Sequence, residues 1–153
     1  MRGVLGLTAV LLTAAAAATG CGTMAGSTTP GAASAPPSVP VELKSTCDAL
    51  GQVYGERMAP FAESLTTLVG RRTPDAQKRA QDSLAAFATA VDDATRASGD
   101  AALRADGKKT AEKLRAKSGD PKFFAAIKTE KDVTTTLGPT LKEWLTPVTR
   151  HCS

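Results

Sequence analysis

Residues 43–68 read LKSTCDALGQVYGERMAPFAESLTTL. Leu43, Cys47, Leu50, Tyr54, Met58, Phe61, Leu65 and Leu68 follow one another at intervals of three or four. On a helix of about 3.6 residues per turn that spacing places all of them on one face, whereas a half-buried strand would alternate every second residue. The stretch therefore predicts an amphipathic helix from about Val41. Pro60 lies inside it, with Gly51 and Gly55 upstream. Proline lacks an N–H and crowds the preceding turn, so a kink, or a break just before Pro60, is expected.

The same period continues towards the C-terminus. Thr73-Pro74-Asp75 opens a second helix with a capping hydroxyl, a first-turn proline and an acid facing the helix dipole. Ala80, Leu84, Phe87, Val91 and Ala94 form its buried stripe, and Ser98-Gly99-Asp100 is the turn out. A third helix, roughly 100–117, buries Leu103, Gly107, Thr110, Ala111 and Leu114. Asp120-Pro121 starts a short element carrying Phe123, Phe124 and Ile127. A last helix runs from about Asp132 through Val133, Leu137, Leu141, Trp144, Leu145 and Val148 to Cys152, kinked or split by Pro139 and Pro147. With short connections and no credible strand, residues 41–153 are expected to form an all-α, antiparallel four-helix-type bundle.

Composition agrees. The chain has 153 residues, 42% hydrophobic and 22% charged, which fits one globular domain and argues against wholesale disorder. Aromatic residues make up only 4%, too few for reading nucleic acid by base stacking. The net charge is +4. Without Arg2, which lies in a segment expected to be removed, 18 basic residues face 15 acidic ones. That weak, interspersed excess does not mark a nucleic-acid partner. It fits a solvated surface with mild attraction to anionic lipid or wall polymer.

The amino terminus carries a different message. Met1-Arg2 is a short positive start, and residues 3–19 are uncharged and apolar, ending in Ala18-Thr19-Gly20-Cys21-Gly22. The run is marginal in length for a spanning helix, and its small-residue end suits a secretory signal. Small residues before a cysteine let the chain lie extended in a peptidase site while the thiolate is alkylated. These residues resemble the lipobox of bacterial lipoprotein precursors. Thr19 and Gly20 fit its second and third positions, Cys21 is the lipidation site, and Ala18 stands where the pattern usually carries Leu, Val or Ile. The resemblance covers residues 1–22. It implies cleavage between Gly20 and Cys21, a diacylglyceryl thioether on Cys21, and attachment to the outer face of the cell membrane. The competing reading is an ordinary signal peptide followed by a free or disulfide-bonded Cys21. One acyl chain gives marginal membrane residence, at about 0.8 kcal/mol per buried methylene, while two hold a protein durably.

Residues 22–40 consist of small and hydroxylated residues, one methionine, one valine and several prolines, with no charge. Too little large apolar surface is available to offset chain entropy, so a flexible tether over residues 21–40 is expected, with a mean reach of roughly 25 Å. If Cys21 carries lipid, the other two cysteines form a pair. Cys47 near the start of the first helix and Cys152 near the end of the last would share one pole of an antiparallel bundle, where a disulfide is plausible; two separate buried thiols are the alternative. The layout is also similar to small helical lipoproteins of actinobacteria, chiefly in Pro121-Lys122-Phe123-Phe124-Ala125-Ala126-Ile127-Lys128. Those proteins mostly lack an assigned activity, so the likeness implies no function.

Signals for catalysis are sparse. His151 is the sole histidine. It has no second histidine to complete a cysteine–histidine zinc set and no nucleophile elbow to serve, and reads as an exposed terminal residue. Asp92 and Asp93, about 100° apart on a helix, do not converge on one reacting atom and read as a solvated face. Arg104, Lys108, Lys109, Lys113, Arg115 and Lys117 spread around the outer surface of the third helix. Tyr54 and Met58, four apart, are possible haem ligands in principle but more simply core, with the phenol reaching a partner. The expected function is a non-catalytic, membrane-anchored binding or structural module without catalytic, metal or cofactor-binding residues. The alternative is a carrier of a small hydrophobic ligand, lipid or haem, in a bundle cavity.

Overall fold

The computed structural model describes residues 40–153, apart from the side chain of Glu42. The signal segment, Gly20, Cys21 and all of the expected tether but Pro40 lie outside the described residues. Helix α1 spans Val41–Arg71, α2 Pro74–Arg96, α3 Ala101–Ser118, α4 Pro121–Ala126, α5 Glu130–Thr135 and α6 Leu141–Thr149. A π-helical turn at Thr136–Thr140 joins α5 to α6, and a 3-10 turn at Arg150–Cys152 follows α6. No strand occurs among the described residues. The fold is all-α: α1 packs on α2, α2 on α3, and α3 on α6, while α5 and the final turn return to α1.

Local chemistry sets the boundaries. Thr73 Oγ1 accepts the Ala76 N–H at 3.2 Å, and Asp100 Oδ1 accepts that of Leu103 at 2.6 Å. Asp120 Oδ1 takes the N–H groups of Lys122 and Phe123 at 3.0 and 3.4 Å. Each cap satisfies a donor that the first helical turn leaves without a partner. A capping box at Thr129 and Asp132, not anticipated from the sequence, starts the last helix at Glu130 rather than Asp132. Helix α1 stops at Arg72, whose φ of 47° is the left-handed conformation of a C-terminal cap. Its guanidinium donates to the Lys128 carbonyl at 2.7 Å, tying the α1–α2 turn to the α4–α5 link.

The two proline-bearing helices behave differently. Helix α1 continues across Pro60 without a break. Glu56, whose carbonyl loses its partner at Pro60, is exposed along with Pro60, so water can serve that oxygen. In the last helix Pro139 sits in the π turn, where the Leu141 N–H reaches back to the Thr136 carbonyl, five residues away. The wider turn re-routes the hydrogen bonds that proline removes.

One core runs through the bundle. Phe61, Leu65, Leu84, Phe87, Val91, Leu103, Leu114 and Val148 are all completely buried. Burial of each such side chain contributes about 1.5–3 kcal/mol before entropy is counted. Phe123 stacks obliquely on Trp144 at 5.4 Å and edge-on to Phe124 at 5.0 Å, which packs α4 against α6. On α2 the stripe differs in one place: Thr95 is buried and Ala94 only half-buried. The reason is the crossing with α3. A Cβ added at Gly107 would lie 1.9 Å from Thr95 Oγ1, so glycine permits an approach that no side chain allows.

Candidate functional site

Four chain segments meet at the pole where the expected tether enters. Cys47 and Cys152 are joined there by a disulfide, with Cα atoms 5.6 Å apart across a sequence separation of 105. This brings the start of α1 beside the chain end. Asp106, one turn into α3, receives Arg150 Nη2 at 2.7 Å, and His151 Nε2 lies 3.0 Å from the same oxygen. Since α3 follows directly on α2, the end of α2 lies at this pole too.

The histidine expectation needs correction. His151 is not exposed: its side chain is 16% accessible and that of Asp106 13%. The hydrogen bond from His151, then that from Arg150, holds the Asp106 carboxyl below the usual carboxylate range. The contribution to stability is thus present above that range and lost as pH falls through the depressed value. A carboxylate–imidazole contact also occurs in catalytic sites, but here it fastens the last turn to α3. Sequence spacing gave no sign of it, because Asp106 and His151 are 45 residues apart.

Asp92 and Asp93 also do more than face solvent. Asp92 Oδ2 accepts Arg96 Nη2 at 2.9 Å and Arg115 Nη2 at 3.2 Å, so it bridges α2 and α3; Asp93 pairs with Arg96 at 2.9 Å. The hydrogen bond from Arg96 leads in holding the Asp92 carboxyl below its ordinary value. Asp92, Arg96, Arg104, Lys108, Glu112 and Arg115 line a groove of about 330 Å³ between the two helices. The basic residues of α3 are therefore not all equivalent. Arg104 and Arg115 are positioned, by the Ser98 carbonyl at 2.5 Å and by Asp92, while Lys109 does not line the groove.

Tyr54 and Met58 pack half-buried against the core. The Tyr54 ring meets Phe87 edge-on at 6.0 Å, but its hydroxyl is buried with no hydrogen-bond partner, contrary to expectation. Burial pushes the phenol up to about 12. Thr110 Oγ1 is likewise buried and unpartnered. Among the described residues no three His, Cys, Asp or Glu side chains gather as a metal site, and no helix is long and apolar enough to cross a membrane. Two further depressions are open grooves. One of about 530 Å³ lies between α1 and α2, and one of about 410 Å³ lies between the α1–α2 turn and α4.

Compared with protein-family models, curated proteins and solved structures, the chain matches none.

Proposed function

We propose that the chain is a lipoprotein, held on the extracytoplasmic face of the cell membrane by lipid on Cys21, that displays the helical bundle as a non-catalytic binding or structural module. The observation that carries the reading is Ala18-Thr19-Gly20-Cys21-Gly22 at the end of an apolar run that follows Met1-Arg2. The cysteine arrangement supports it. Cys47 and Cys152 engage each other, which leaves Cys21 as the cysteine available for a thioether, and disulfides persist in exported proteins. The open grooves favour action through a surface over the carrier alternative, which calls for an apolar cavity of roughly 300 Å³ or more that encloses its ligand.

Cell fractionation of the chain and its Cys21→Ser variant tests this proposal. The parent is expected in the membrane fraction and released only by detergent. The variant should move to the soluble fraction or the medium. An unchanged distribution would contradict the proposal.

A further inference from the structure

From the α2–α3 groove we infer an anion site that binds the phosphate of an acidic phospholipid headgroup, docking the bundle on the membrane with its tethered pole inward. This rests on the anchored reading above. Arg104, Lys108, Glu112 and Arg115 recur on α3 at intervals of four, four and three, which aligns them along one stripe; Asp92 and Arg96 face them from α2. Four cations thus share a groove with two carboxylates. Asp92 is already engaged by Arg96 and Arg115, and Lys108 has no ion pair among the described residues. Asp93, which also pairs with Arg96, is the third carboxylate of the cluster, so a surplus of one positive charge remains.

The guanidinium groups are also pre-positioned. Arg104 is fixed by the Ser98 carbonyl and Arg115 by Asp92, each through a single nitrogen. An arginine has five N–H donors in a planar fork, so most stay available for phosphate oxygens. Fixing the side chains in advance removes part of the ordering cost of binding. Location selects the headgroup as the source of the phosphate. Arg96 closes α2 and Arg104 lies in the first turns of α3, at the pole where Val41 continues from the lipid-bearing segment. Only 19 residues separate Cys21 from Val41, which ties that pole to the lipid-bearing residue over a short length of chain, so even a weak site is occupied through high effective concentration.

Among the described residues the buried core runs from Leu43 to Val148, and a chain of residues 21–153 carrying Cys21→Ser retains all of it. Its sedimentation with vesicles of equal parts phosphatidylglycerol and phosphatidylcholine provides the test, independent of whether Cys21 is acylated. Binding that weakens with salt is expected, with none to phosphatidylcholine alone. Arg96→Gln with Lys108→Gln should weaken it about thirty-fold. Lys122→Gln with Lys131→Gln, the same charge loss at exposed positions outside the groove, should leave it nearly unchanged. Trp144 fluorescence confirms that each variant is folded. Equal loss in both pairs, full binding by the groove pair, or displacement by inorganic phosphate at matched phosphate concentration would overturn headgroup docking. Fractionation of the Cys21→Ser chain addresses the anchor separately.

Discussion

Replacing Gly107 by alanine should destabilise this protein even though alanine is the better helix former. An ideal Cβ at position 107 meets Thr95 Oγ1 at 1.9 Å, Thr95 Cβ at 2.4 Å and Thr95 Cγ2 at 2.8 Å. Ordinary contact begins at 3.4 Å, so the two atoms closest together must separate by about 1.5 Å. Rotating Thr95 does not provide this, because its Cβ is fixed to the α2 backbone and its hydroxyl donates to the Val91 carbonyl at 2.9 Å. Moving the helices apart would open the contact around Phe87, Val91 and Leu103, all fully buried. Overpacking of this kind costs about 3 kcal/mol at the upper end of the usual range, offset by about 1 kcal/mol of helix preference, for a net loss of about 2 kcal/mol. Urea unfolding followed by the single, buried Trp144 reads this as a midpoint lowered by about 1 M or more. Gly51→Ala and Gly55→Ala provide an internal contrast. Nothing lies within 4 Å of a Cβ at either position, so each should raise stability by about 0.5–1 kcal/mol. In the Gly107→Ala background, Thr95→Gly should restore more than Thr95→Ala, which retains the Cβ at 2.4 Å. A Gly107→Ala protein as stable as the parent would refute the close crossing of α2 and α3.

Other outcomes follow from single features of the interior. Thr110→Val removes a buried hydroxyl without a partner at nearly constant shape, and should raise the urea midpoint by the equivalent of about 1 kcal/mol. Tyr54, the sole tyrosine, should ionise near 12 in the folded protein and near 10.0 in denaturant, as read by tyrosinate absorption. Because its folded value is the higher one, stability should be full below pH 10 and fall as pH rises towards 12, and Tyr54→Phe should flatten that decline. Replacing both Cys47 and Cys152 by serine should lower stability by up to about 4.7 kcal/mol, since the bridge restrains a long loop in the unfolded chain.

The helical architecture was legible because burial here follows a simple period. Every residue assigned to the interior of α3, including Gly107 and Thr110, is buried, and Thr73 and Asp120 cap the helices they were expected to start, while Asp100, read only as part of a turn, caps α3. The proline effects were legible only in kind. A proline on an exposed face costs little, as at Pro60, whereas the π turn at Pro139 depends on how α5 and α6 must meet the bundle. Apart from the Cys47–Cys152 bridge, which the cysteine count suggested, contacts between distant segments were not legible. Asp92 with Arg115, Asp106 with His151, and Thr95 against Gly107 each join separate helices, and no periodicity within one helix records its partner. The unpartnered Tyr54 hydroxyl was hidden for the same reason: helical spacing shows which face is buried, but not whether a donor or acceptor waits opposite.

Intact-mass measurement of the chain extracted from membranes, under native and reducing conditions, reads the lipid anchor on Cys21 itself. A polypeptide beginning at Cys21 and carrying diacylglyceryl mass on that residue is expected. Reduction should add two hydrogens at Cys47 and Cys152 and leave the lipid in place. A processed chain whose Cys21 is unmodified, or paired with another cysteine, would contradict that anchor.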